Sequence, residues 1–178
     1  MKIKKIFHLL CMLGFCVWCL ESCNPPESYS KIPEIRYKSL QIVDKMHPDL
    51  GIFKNAVLTF SFIDGDGDIG DPNVKNAVSR IHYTWYQKLI DGTYKPHQSV
   101  SGAITDSTAI PYDQVMDRSE AQNKFLKGFI EITLEAPTNI PQGVDTMRIE
   151  FFIFDRARNK SNVEYTPDFN PNTYGPVK

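Results

Sequence analysis

Leu58-Thr59-Phe60-Ser61-Phe62 runs directly into Ile63-Asp64-Gly65-Asp66-Gly67-Asp68-Ile69-Gly70-Asp71. The first half sets the fold class. Large apolar side chains alternate with small polar ones, the two-residue period of a strand with one buried face. The second half ends that strand, because Asp and Gly favour turns. The same alternation recurs at Ile81, Tyr83 and Trp85, at Ile130, Ile132 and Leu134, and at Ile149, Phe151 and Ile153. No segment carries a long 3.6-residue period. The best helical candidate is a turn or two within 113–124.

Pro and Gly punctuate the chain between the alternating runs. The predicted strands are 34–43 (A), 56–63 (B), 81–90 (C), 93–98 (C′), 107–112 (D), 125–135 (E), 146–154 (F) and 161–166 (G). Short strands without βαβ alternation predict an all-β chain, an antiparallel sandwich of about seven to eight strands. Leu58, Phe60, Trp85, Ile130, Ile132, Ile149 and Phe151 are the expected core between two sheets. Trp85 on the third strand fits the buried tryptophan of an immunoglobulin-like strand C. Residues 146–166, with Phe154-Asp155-Arg156-Ala157-Arg158-Asn159-Lys160-Ser161, resemble the closing hairpin of bacterial immunoglobulin-like and fibronectin-type modules.

The N-terminus has its own logic. Lys2, Lys4 and Lys5 precede an uncharged apolar run from Leu9 to Leu20, which Glu21-Ser22-Cys23 closes. The run is shorter than the roughly 20 residues that span a bilayer. A basic segment, a short apolar run and a small residue before the cut read as a secretory signal peptide. Ser22-Cys23 resembles the lipobox of bacterial lipoproteins, although Glu21 stands where that motif has a small residue. The resemblance implies a diacylglycerol and a fatty acyl group such as palmitate on Cys23. It also implies a membrane anchor in the cell envelope outside the cytoplasm, at the outer membrane. The expected organisation is a lipoprotein signal peptide at 1–22, a lipidated tether at 23–32, an immunoglobulin-like β-sandwich at 33–167 and a C-terminal tail at 168–178.

Cys11, Cys16, Cys19 and Cys23 are the only cysteines. Three fall in the removed segment and the fourth carries lipid, so the mature domain is expected to have no disulfide, thiolate zinc site or cysteine nucleophile. Removal of 1–22 takes Lys2, Lys4, Lys5 and Glu21 from 20 basic and 21 acidic side chains, leaving a mildly acidic domain. There is no basic stripe, which argues against nucleic acid as a partner.

The mature region also resembles a family of uncharacterised Bacteroidetes-type envelope lipoproteins. Residues 62–70, Trp85-Tyr86, and Asp155 to Pro167 through Asn159, Asn162 and Tyr165 carry the likeness. It implies location and no assigned activity.

The residues with chemistry to offer are the acids of the B–C loop. Asp64, Asp66, Asp68 and Asp71 alternate with Gly, which lets a tight backbone aim several oxygens at one point. Such oxygens suit Ca²⁺, which takes 6–8 of them. The spacing starts like an EF-hand, but Ile69 replaces the required Gly and Lys75 the required Glu, so it is not one. In an immunoglobulin-like fold the B–C, D–E and F–G loops share a pole. Asp155 and Asn159 of the F–G loop are therefore expected to join Asp64, Asp66, Asp68 and Asp71. Asp113, Asp117, Glu120 and Asn123 of the D–E connection are expected nearby. Oxygen donors without neighbouring Cys or His favour Ca²⁺ over Zn²⁺.

Other patterns are weaker. His47, His82 and His97 have no metal-ligand spacing, and no serine sits in a G-x-S-x-G elbow. On the outward parity of strands C and F, Tyr86, Phe152 and Phe154 form an aromatic patch for a protein or sugar partner. Strand C′, the tether or the segment 168–176 is expected to cover it, since monomers rarely expose large apolar patches. Two functional classes fit. One is a lipid-anchored, non-enzymatic envelope module for binding or structure, stabilised by Ca²⁺ at one loop pole. The other is an envelope glycan-binding accessory protein or hydrolase that uses the acidic pole or the aromatic face.

Overall fold

The computed structural model describes residues 28–47, 51–98, 102, 105–111, 115–116, 125–137, 140–173 and 175–176. The expected signal peptide, Cys23 and half of the expected tether, residues 23–27, therefore lie outside the described residues. The described chain forms two antiparallel sheets. The first contains β1 (Glu34–His47), β2 (Gly51–Asp64), β6 (Val115–Met116), β7 (Leu126–Glu135) and β10 (Gly175–Pro176), in the order β10-β1-β2-β7-β6. The second contains β3 (Arg80–Lys88), β4 (Tyr94–Pro96), β5 (Asp106–Ala109), β8 (Met147–Phe154) and β9 (Glu164–Tyr165). Its order is β4-β3-β8-β9, with β5 also on β3. Strands A, B and E thus share one sheet and C′, C, F and G the other, as in an immunoglobulin-like sandwich.

The alternation places the core. On β8 the side chains of Met147, Ile149, Phe151 and Ile153 are buried, while Arg148, Glu150, Phe152 and Phe154 face outward and are half-buried. On β2, Leu58, Phe60 and Phe62 are buried. Phe60 meets Phe151 across the sheets at 5.4 Å between ring centres. All seven expected core residues are buried. A register shift between Tyr37 and Ser39 inserts one extra residue into β1. That bulge flips the parity, so that Ile35 and Leu40 both point inward although an odd and an even position should oppose.

Several boundaries differ from expectation. β1 and β2 continue past the sandwich as a two-stranded arm, with Asp44 to His47 paired to Lys54 to Gly51. The sequence there does not alternate, and the arm is held by backbone pairing, with Met46 largely exposed. Residues of the expected D strand form β5 and pair with Arg80 to Tyr83 of β3. They fill the edge that the short β4, paired at Tyr86 to Lys88, leaves open. The neighbour of β7 is instead β6, within the segment expected to be helical. The other residues of 113–124 lie outside the described residues.

The C-terminal segment does not cover the outer face of β3 and β8. Phe169 exchanges backbone hydrogen bonds with Met147, 2.8 Å each way, and its ring enters the core edge-on to Trp85. The chain then crosses to the other sheet, where β10 pairs with Gln41 and Ile42.

Removing the ring at the centre of the sandwich costs both its transfer energy and a cavity. Phe151→Ala is expected to destabilise the fold by about 3–5 kcal/mol. Ile90→Ser, at a fully exposed turn residue, should change stability by less than about 0.5 kcal/mol. Denaturant unfolding of both variants checks the contrast.

Candidate metal centre

The parity that buries Phe60 and Phe62 carries one step further to Asp64, the last residue of β2. The parity that buries Phe151 and Ile153 likewise carries to Asp155, just beyond β8. Both carboxylates are fully buried. Hydrophobic alternation in two strands of opposite sheets thus drives two like charges into the same end of the core.

Asp66 and Asp68 complete the group. One carboxylate oxygen from each of Asp64, Asp66, Asp68 and Asp155 lies within 4.8 Å of the others. Asp66 is exposed, and Asp68 is half-buried. Part of the oxygen set is already bonded. Asp64 Oδ2 accepts the Asp68 backbone N–H at 2.8 Å, and Asp68 Oδ2 accepts that of Ala157 at 2.8 Å. Asp155 Oδ1 accepts the Asn159 backbone N–H at 2.7 Å. Asp64 Oδ1 and Asp68 Oδ1 are buried with no hydrogen-bond partner among the described residues. A buried carboxylate oxygen left bare costs free energy unless a proton or a cation meets it.

The loop is built to hold this arrangement. Ile69 is buried in the core, and Gly70 N–H donates to the Ser79 hydroxyl at 3.0 Å. Gly67 and Gly70 take positive φ values of 70° and 86°, which glycine adopts without penalty. Gly65 serves close approach instead. Its N–H donates to the Ser30 carbonyl at 2.8 Å, and a Cβ there would fall 2.5 Å from that oxygen. The chain entering from the expected tether is therefore laid directly on the acidic loop.

Two further expected ligands are hydrogen-bonded within their own loops. Asp71 lies outside the cluster. Its Oδ1 accepts the Asn73 N–H at 2.9 Å and its Oδ2 that of Val78 at 3.1 Å, which closes the following turn. Asn159 acts as a positioning residue, its side-chain amide donating to Asp155 Oδ2 at 2.8 Å. Asp113, Asp117, Glu120 and Asn123 lie outside the described residues, as does Cys23.

The aromatic patch resolves into two groups on the outer face of the second sheet. Phe152 stacks on His82 at 5.2 Å, and Phe154 sits edge-on to both. Tyr86 belongs to a second group around Arg148, whose guanidinium lies 3.6 Å from the Tyr94 ring centre and 4.7 Å from that of Tyr165. Lys160 Nζ lies 3.8 Å from the centre of Phe152. Of the expected covers, strand C′ contributes Tyr94, and cationic side chains lie over the rings beside it.

No family model matches the chain, and no curated protein matches it. Two crystal structures of wild-type OgpA from Akkermansia muciniphila share some of its backbone, with TM-scores of 0.37 and 0.36 at 8% and 10% identity. The similarity covers 88% and 85% of this chain and 32% of OgpA in each case. A likeness of that size carries no activity across.

Burial, with the neighbouring carboxylates adding to it, raises the pKa of Asp64 from 3.8 to about 7. The folded state then keeps this proton to near neutrality, whereas the unfolded chain releases it at the lower value. Between those values the unfolded state binds fewer protons, so raising the pH weakens the fold. Without divalent cations the melting temperature should fall as pH rises from about 4 to about 7. Asp64→Asn should flatten that slope, and thermal unfolding across the range in chelator tests it.

Proposed function

We propose that this chain is a lipid-anchored, non-enzymatic binding or structural module of the cell envelope, stiffened at one pole by Ca²⁺. The observation that carries the cation reading is the pair of bare, buried oxygens, Asp64 Oδ1 and Asp68 Oδ1, beside Asp66 and Asp155. Oxygens bound to one Ca²⁺ at 2.3–2.6 Å lie at most about 5 Å apart, which suits a cluster held within 4.8 Å. The donors are all carboxylates, which favours a hard cation over Zn²⁺. Asp64, Asp66, Asp68 and Asp155 would be the ligands, and backbone carbonyls or water would complete the shell.

Such an ion would relieve the mutual repulsion of the four acids. It would also fix the loop on which Ser30 is laid and the 155–159 turn together. The pole that meets the tether would then be the stiffest part of the domain, which suits a module held at a membrane by its N-terminus. The basic segment, short apolar run and Ser22-Cys23 junction support the anchor. Attachment through Cys23 would place the module in the outer membrane, and its outer faces would be free for an envelope protein or glycan.

Millimolar Ca²⁺ should raise the melting temperature of the purified chain relative to chelator. Binding to the folded form alone adds about 2.7 kcal/mol at a hundredfold excess over Kd. Asp66→Asn, at the exposed ligand, should weaken the response without unfolding the domain. An unchanged midpoint, with no heat of binding by calorimetry, would leave an acidic turn and nothing more.

The anchor has its own test. Cys23→Ala should abolish labelling by radioactive palmitate and release the protein from the membrane fraction. A variant that still labels and still sediments with membranes would show that another residue or segment holds it.

A further inference from the structure

A cleft of about 470 Å³ opens where β3 begins and β8 ends, lined by Asn76, Ala77, Val78, Arg80, Phe154 and Arg158. Two arginines line it and, among the described residues, no acid does. Arg80 is fixed in direction, because its Nε donates to the Ser107 hydroxyl at 3.3 Å and its Nη2 to the Ser107 carbonyl at 3.1 Å. Arg158 is exposed, and its guanidinium has no hydrogen bond or ion pair among the described residues. Phe154 forms an apolar wall, braced edge-on by Phe152 and His82. Lys160, stacked on Phe152, adds positive charge to the same end of the sheet.

The backbone gives a second, independent sign. Arg158 has φ of 68°, and among the described residues every other positive φ belongs to glycine. The position follows the tight turn in which Arg158 N–H donates to the Asp155 carbonyl at 3.2 Å. Glycine would occupy it without strain. A long cationic side chain is held there instead, at the rim of a cleft, and such strain collects at functional sites.

We propose that this cleft binds a carboxylate carried on a sugar-sized ring, as in a uronic acid unit of an acidic glycan. The planar guanidinium fork matches a carboxylate through two parallel hydrogen bonds. The wall of Phe154 offers an apolar face to a ring, and Asn76 offers an amide that can both donate and accept. The volume falls within the usual range for small-molecule sites. Among the described residues the charged lining is cationic, which favours an anion. The site is distinct from the cation centre, although Arg158 and Asp155 share one turn.

The test is a calorimetric and NMR titration of the purified chain with glucuronate, with glucose and acetate as comparisons. Saturable binding of glucuronate is expected, with perturbed resonances at Arg80, Phe154 and Arg158. Glucose and acetate should bind at least about tenfold more weakly, since each lacks one half of the match. Arg158→Gly should lose about tenfold in affinity while keeping or raising the melting temperature, because it removes the fork and the strain together. Absence of saturable glucuronate binding would overturn the proposal, as would acetate binding equally well or unchanged affinity in Arg158→Gly. Repeating the titration in chelator separates this site from the cation centre. Binding should persist, and its loss would assign the sugar to the cation and overturn the cleft.

Discussion

The packing of β2 against β8 puts Asp64 and Asp155 at the same buried end of the sandwich, and the arrangement of the whole pole follows from that. Each acid continues the inward parity of its own strand, behind Phe60 and Phe62 in one case and Phe151 and Ile153 in the other. Like charges in a medium of low polarity repel strongly and are costly to desolvate. Backbone N–H groups of Asp68 and Asn159 answer part of that cost. The rest falls on a proton or a cation. The Gly-spaced loop, the 155–159 turn and the docked segment at Ser30 are all bent around this one point.

The edges of the sheets are closed by side chains as much as by strands. β9 pairs with β8 over only Glu164 and Tyr165. On either side, the hydroxyls of Thr166 and Ser161 accept the N–H groups of Ile149 and Ile153 at 2.9 and 3.0 Å. Asn162 reaches across to the first sheet. Its amide accepts the Ile35 N–H at 2.8 Å and donates to the Ile35 carbonyl at 2.9 Å, in the way a strand would. Glu164 accepts the Tyr37 N–H at 3.2 Å. The polar run after Asp155 therefore holds the two sheets together and blunts an exposed edge. The expected strand at 161–166 pairs as a strand only at Glu164 and Tyr165, and side chains supply part of the bonding on either side.

The outer face of the second sheet follows a different rule. Its rings are half-covered by cations, with Arg148 among Tyr86, Tyr94 and Tyr165, and Lys160 on Phe152. Tyr165 also donates to Glu150 at 2.6 Å. Cation and aromatic satisfy each other at the surface, so the face needs no segment laid over it. The C-terminal chain is left to plug the core with Phe169 and to extend the first sheet through β10.

The sequence by itself determined the period-two strands, the core they bury and the oxygen chemistry of the Asp-Gly loop, because each is a local pattern. The inward parity at Asp64 and Asp155 could have been read there as well, by continuing the count one step past Phe62 and Ile153. Which sheet takes residues 106–109, how far the β1–β2 arm extends, and the bulge near Lys38 were decided by tertiary structure, since backbone pairing is set by which edge stands open. The same holds for Asp71 and Asn159. Both oxygens of Asp71 and the amide nitrogen of Asn159 are engaged by neighbours that only the folded loops supply. Arg158 shows the limit most plainly: its side chain is one of many cations in the sequence, and only the fold gives it a left-handed backbone and a cleft to face.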